Sequence, residues 1–221
     1  MATLLLCLAG PMQSWGIQSQ FGVRDTGLEP SKSGVIGLLC AALGRPRSAP
    51  LDDLCSLRMG IRVDREGVLS ADYHTAQHVL KASGGIKETE VSRRYYLADA
   101  AFLAGLEGEE TLLESLAAAL RAPVWTLWLG RKAFPPSKPI WLPDGLRKEG
   151  LEVALQEYPL IVELRKREEQ PVPLRLVLDD PDGIETRQDV PISFDKRTFS
   201  SRRVTTRFIP APKEASCSSP G

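Results

Sequence analysis

The chain has 221 residues, 43% apolar and 25% charged, with 28 Lys plus Arg balanced by 28 Asp plus Glu to a formal net charge of zero. That composition excludes wholesale disorder, a collagen-like repeat and a membrane bundle, and the neutral balance gives no global pull toward nucleic acid or a membrane. The length suits one elaborated domain, or a domain with a smaller appendage.

Residues 3–8 are mostly apolar and end at Gly10-Pro11, which predicts a buried first strand; the run is too short for a signal peptide or a span, so the expected location is the cytoplasm. A long loop follows. Ser31 or Ser33 then caps a predicted helix whose Val35, Ile36, Leu38, Leu39, Ala42 and Leu43 recur at helical spacing and which Gly44 and Pro46 end. A brief helix over 51–57 precedes two predicted strands, 59–64 and 68–73, joined around Glu66-Gly67 as a hairpin. Residues 74–92 lose all apolar pattern and include Ser83-Gly84-Gly85, the composition of a projecting flexible arm. Strand character resumes over 93–102, a helix with early glutamates and a late Arg121 is predicted over 109–121, and Val124, Trp125 and Trp128 favour a strand over 124–129.

The order strand, helix, strand, strand, helix, strand predicts an α+β fold. Its core is a ferredoxin-like, RNA-recognition-motif-like βαββαβ unit over 1–130 that includes the arm, with strands one and four parallel. Prolines at 135, 136, 139 and 143 mark an irregular crossing. The short runs 160–164, 174–178 and 204–209 predict a small β-rich C-terminal unit over 131–210, and residues 211–221 have the composition of a flexible tail. Cys7, Cys40, Cys55 and Cys217 show no C-x-x-C spacing, so neither a disulfide nor zinc is expected.

The segment G-P-M-Q-S-W-G, residues 10–16, sits just after the first strand and is followed by Arg24, Thr26, Lys32 and Ser33 before a helix. Glycine permits close backbone approach and Trp15 offers a stacking face. The helix start beside Lys32 supplies free N–H groups for phosphate. The bland alternative makes Trp15 a core anchor and Ser33 only a cap. Further basic loci are Arg93-Arg94 beside Tyr95-Tyr96, Arg131-Lys132, and a C-terminal stripe of Lys196, Arg197, Arg202, Arg203 and Arg207 that reads as a backbone rail.

These segments, with S-K-S-G-V-I-G-L-L at 31–39, D-Y-H-T at 72–75, R-R-Y-Y-L-A-D-A-A-F at 93–102 and W-L-G-R-K at 128–132, resemble one family over about residues 3–140. It is the CRISPR-associated Cas-five family, and within it the CasD-type subunit of type I-E Cascade. The resemblance implies a non-catalytic RAMP-type RNA-binding subunit for antiviral defence that caps the 5′ handle of the guide RNA. Its implied partners are the guide and the backbone and large subunits, with target DNA engaged indirectly. It also makes residues 74–92 a thumb, with Lys81 and Lys87 near phosphate, and favours handle contact by Arg131-Lys132. The candidate RNA-binding residues are therefore Gln13, Ser14, Trp15, Gly16, Arg24, Lys32, Ser33, Arg93, Arg94, Arg131, Lys132, Arg202 and Arg203. The usual aromatic string of an RNA-recognition sheet is absent, so loops and helix ends are expected to grip RNA.

Two rival classes stand beside this reading. A metal-independent endoribonuclease processing precursor guide RNA would use His74 with Tyr73 and Lys81, but His74 and His78 are the only histidines and sit at the root of the arm. A pure protein-interaction piece would use Trp125, Trp128 and Trp141 as anchors. No metal site is expected, because Asp52-Asp53 and Asp179-Asp180 diverge without a third ligand, and no P-loop or other cofactor motif occurs.

Overall fold

The computed structural model describes residues 1–17, 22–162 and 173–212. In chain order the elements are β1 (Ala2–Ala9), β2 (Met12–Gln13), β3 (Val23–Arg24), α1 (Lys32–Leu43), α2 (Asp52–Cys55), β4 (Arg58–Arg65), β5 (Val68–Leu80), β6 (Ile86–Ala98), β7 (Ala101–Gly108), α3 (Glu110–Arg121), β8 (Trp141–Arg147), α4 (Leu151–Glu157), β9 (Leu174–Asp179), β10 (Glu185–Ser193) and β11 (Thr198–Ile209). They form a mixed α+β architecture dominated by antiparallel sheets. A seven-stranded sheet runs β10-β11-β9-β4-β7-β1-β8, and a smaller sheet gathers β2, β3 and β5 around β6. Among the described residues no helix is long and apolar enough to cross a membrane.

β1 is buried along its whole length because both faces of the large sheet are covered, which is why it reads as an unbroken apolar run. Its Leu4, Leu6 and Leu8 pack with α1 and α3, while Leu5, Cys7 and Ala9 meet the cluster around α4. Gly60 and Gly105 face each other across β4 and β7. A Cβ on Gly60 would lie 2.6 Å from Leu155, and one on Gly105 2.7 Å from Leu151, so the pair makes the notch into which α4 settles.

Two buried ion clusters lock this arrangement. Arg62 and Asp64 on β4 are fully buried as a bidentate pair, with Nε to Oδ1 at 2.6 Å and Nη2 to Oδ2 at 2.9 Å. The remaining guanidinium protons go to the carbonyls of Leu155, Tyr158 and Pro159, so one arginine satisfies the orphan end of α4. On the opposite face Asp179 accepts the Lys32 ammonium at 3.0 Å, the Met59 N–H at 2.9 Å and the Arg202 guanidinium, and Arg202 also forks onto Asp189.

The structure corrects several sequence expectations. Residues 59–64 and 68–73 are not a hairpin: β4 pairs with β7 and β9, while β5 pairs with β6. Gly67, at φ 75°, turns the chain out of the large sheet. The arm is no loop but a ribbon in unbroken register from Val68↔Ala98 to Leu80↔Ile86, closed by Gly84 and Gly85 at positive φ. Apolar periodicity is missing there because nearly all of the ribbon faces solvent. The strand foreseen over 93–102 is two strands broken at Asp99, whose φ is 58° and whose N–H donates to the Pro11 carbonyl.

Residues 124–129 form no strand. The N–H groups of Val124 and Trp125 instead cap the last carbonyls of α1, at 3.0 Å to Ala42 and 3.1 Å to Ala41. β8 takes the place beside β1, antiparallel to it, so the expected parallel pairing of the first and fourth core strands is also wrong. Of the run 160–164, residues 160–162 are not in a strand and the rest lies outside the described residues. β9 and β11 contain the runs 174–178 and 204–209, and β9 pairs with β4, so the C-terminal strands extend the large sheet. Most of the foreseen tail, 213–221, lies outside the described residues.

Removing Asp179 leaves two cations buried against one remaining carboxylate. Asp179→Ala is expected to cost about 3 kcal/mol of stability, read as a lower denaturant midpoint at unchanged slope in urea unfolding.

Candidate nucleic-acid interface

Four chain segments are stitched together at the end of β1. The Ser14 N–H donates to the Leu129 carbonyl at 3.1 Å and its hydroxyl to the Tyr95 carbonyl at 3.1 Å, with the Asp25 carbonyl 3.4 Å away as the alternative acceptor. The Trp15 N–H donates to the Thr26 hydroxyl at 2.9 Å, and Gly27 returns a bond to the Trp15 carbonyl at 2.7 Å. Arg131 Nη2 donates to the Arg24 carbonyl at 3.2 Å. Short polar side chains and backbone groups therefore hold the loop after β1, β3, β6 and residues 129–131 around a common hollow.

That hollow is a cavity of about 380 Å³ lined by Ser14, Gly16, Arg24, Asp25, Arg94, Gly130 and Arg131. Three guanidinium groups share it. Burial first, then the like charges of Arg94 and Arg24, push Arg131 below its ordinary value, and Asp25 and Asp72 offset part of that. Arg131 stays protonated, because guanidinium deprotonation lies far outside the working range. Its guanidinium also rests 5.6 Å from the Phe134 ring centroid. Three crowded cations of fixed planar geometry favour an oxyanion with several acceptor oxygens, such as a phosphodiester. The loop beyond β3 is anchored in turn, since Glu29 takes Arg175 at 2.7 Å and Arg187 at 3.2 Å. The hydrogen bonds it donates to the Glu66 and Glu29 carboxylates hold the Arg175 guanidinium above its ordinary value.

Of the sequence candidates, Ser14, Gly16, Arg24, Arg94 and Arg131 converge on this cavity. Arg93 and Lys132 are exposed neighbours, Arg93 on the other side of β6 from Arg94 by strand alternation. Gln13 is fully buried: its amide donates to the carbonyls of Leu8 at 2.9 Å and Ala100 at 2.8 Å and accepts the Trp15 indole N–H at 3.1 Å. Trp15 is 1% exposed, so the core-anchor alternative holds and its ring offers no free face.

Lys32 is 6% exposed and spends its charge on Asp179, while its N–H donates to the Asp189 carboxylate at 2.8 Å. The start of α1 is capped by Ser31 and already holds an anion, so it is not a phosphate seat as it stands. Ser33 is half-buried near the Ser31 hydroxyl. Arg202 is consumed by Asp179 and Asp189, which breaks the expected rail. Arg203 remains exposed, with one bond to the Pro181 carbonyl at 3.3 Å, and Arg207 pairs with Glu152.

Two contributors escaped the sequence reading. Asp25 supplies a counter-charge to the cluster, and its adjacency to Arg24 was the signal. Gly130, at φ 89°, lets residues 129–131 fold onto Ser14, where a Cβ would run into the Ser14 carbonyl. His74 is exposed on β5 opposite Ser92. Among the described residues, no group of three or more His, Cys, Asp or Glu could hold a metal ion, and Cys7, Cys40 and Cys55 are free.

Fold and cavity define the class: an antiparallel α+β protein with a built polycationic cleft. Residues 3–205 match the profile described as CRISPR-associated protein (Cas_Cas5). The CRISPR system Cascade subunit CasD of Escherichia coli (strain K12) is 36% identical over 155 residues, covering 63% of this chain and 69% of that protein. A solved structure described as a crystal structure of a Cas protein is 44% identical with TM-score 0.79, covering 95% of this chain and 97% of its own. A chain of a CRISPR RNA-guided surveillance complex is 36% identical with TM-score 0.76, covering 96% and 95%. The chain belongs to the Cas_Cas5 family of CRISPR-associated proteins.

Because the Trp15 ring fills core volume against Gly34, Trp15→Ala is expected to cost about 3–5 kcal/mol of folding stability, measured by thermal or denaturant unfolding.

Proposed function

We propose that the chain is a non-catalytic subunit of a CRISPR RNA-guided surveillance complex of the Cascade type, and that its arginine cavity holds the backbone of the guide RNA 5′ handle. The observation that carries this reading is the convergence of Arg24, Arg94 and Arg131 on one hollow with only partial acidic compensation. The kinship with CasD and with the surveillance-complex chain supports the setting. Lys132 extends the basic surface beside the cavity, Arg93 lies on the opposite face of β6, and Arg203 lies apart on β11.

The core is read as ferredoxin-like. Its support is the chain order β1, α1, β4, β7, α3, β8 together with the spatial order β4-β7-β1-β8, all antiparallel. In this reading the β5–β6 ribbon is the thumb that reaches a neighbouring subunit.

A ribonuclease is disfavoured by geometry. Tyr73 and His74 are consecutive in β5 and project to opposite faces, and Lys81 lies in the turn at the far end of the ribbon. Purified protein without added metal is expected to leave a precursor guide uncut, with His74→Ala indistinguishable from wild type. Cutting by wild type that His74→Ala abolishes would overturn the non-catalytic reading.

The binding reading is tested by salt titration of 5′-handle RNA affinity. Arg24→Ala, Arg94→Ala and Arg131→Ala are each expected to reduce the log–log slope by about 0.7. Lys32→Ala and Arg202→Ala should lower stability and leave the slope alone. Wild-type slopes in all three cavity variants would remove the site.

A further inference from the structure

Beside the arginine cavity lies a second one of about 350 Å³. Its floor is α1, where Gly37 and Ala41 keep the surface low. Its walls are Trp125, Trp128 and Phe194. Gly130 borders both cavities, so they adjoin through a residue with no side chain. Trp125 is 49% exposed and Trp128 and Phe194 half-buried, an aromatic surface left facing solvent. The backbone bond from Trp125 to α1 fixes this wall in place. At one end Arg45 is held by a fork onto Asp53, and exposed Arg47 adds a second cation.

We propose that this aromatic cavity receives one nucleobase of the RNA strand whose phosphate occupies the arginine cavity. The inference rests on the RNA-binding reading above. A single strand alternates a charged backbone with flat rings, and here a polycationic hollow and an aromatic hollow stand side by side in the matching order. Exposed Arg47 at the rim, rather than the Asp53-paired Arg45, complements the next phosphate along. Aromatic walls accept any base through its π-face, so the slot adds affinity without demanding one letter.

The test uses the full chain, a labelled guide RNA with an intact 5′ handle, and a set of the same RNAs each carrying one abasic nucleotide. Trp128→Ala and Trp125→Ala are expected to weaken binding by roughly 5- to 150-fold each with an unchanged salt slope, and Trp128→Phe to restore most of the loss. One abasic position should reproduce the Trp128→Ala loss in wild type and add nothing to it in the variant. If Trp128→Ala fails to fold, the Trp125→Ala and Trp128→Phe measurements against the abasic set decide the matter.

Tryptophan variants and abasic RNAs that all bind as wild type, while Arg131→Ala still lowers the slope, overturn the base slot and spare the arginine site. Weakening by the tryptophan variants that no abasic position reproduces also overturns the slot. Absence of handle-dependent binding by the wild-type chain overturns both readings.

Discussion

The carboxylate of Asp179 is the joint on which the molecule turns. It sits at the end of β9 and receives bonds from β4 through Met59, from α1 through Lys32 and from β11 through Arg202. Asp189 of β10 completes the set by taking the Lys32 N–H and the other arm of Arg202. Two cations and two anions taken out of water are tolerable only when their hydrogen bonds are filled and the geometry is fixed. This knot therefore sets how the C-terminal strands lie against the first helix.

That internal pairing explains how a chain of zero net charge carries a cationic hollow. Lys32, Arg62, Arg175 and Arg202 are neutralised by carboxylates within the fold. Arg24 and Arg94 crowd Arg131, and Asp25 and Asp72 offset part of that repulsion. Local imbalance, rather than total charge, is what attracts a polyanion to one place on an otherwise balanced surface.

The parts legible in the sequence were those whose pattern follows from burial: β1 as a continuous apolar run, and α1 and α3 through helical spacing and end signals. The ribbon was illegible because strands exposed on both faces carry no alternation of polar and apolar residues. Residues 124–129 have strand-favouring side chains, yet the amides of Val124 and Trp125 are used to close α1. At the site, five of the thirteen candidates line the cavity, namely Ser14, Gly16, Arg24, Arg94 and Arg131. Gln13, Trp15 and Lys32 do not line it because they are buried as internal braces, and Arg202 on β11 is held by Asp179 and Asp189. A polar or aromatic residue beside a glycine-rich loop looks alike in the letters whether it faces solvent or braces the loop from beneath, and only its partners tell the two apart.

The ribbon's regular register also makes it a gauge. Among the described residues β2 and β3 pair with β6 only between residues 93 and 98, and the stretch from Val91 to the turn pairs with β5 alone. At roughly 3.3 Å per residue that stretch is about 20 Å long. Lengthening both strands by two residues would move the tip outward by about 7 Å and keep every side chain on its own face, whereas adding one residue to each would turn the tip over. Distance and facing are thus quantised together, and Leu80 and Ile86 at the tip are presented only at steps of a whole number of residue pairs.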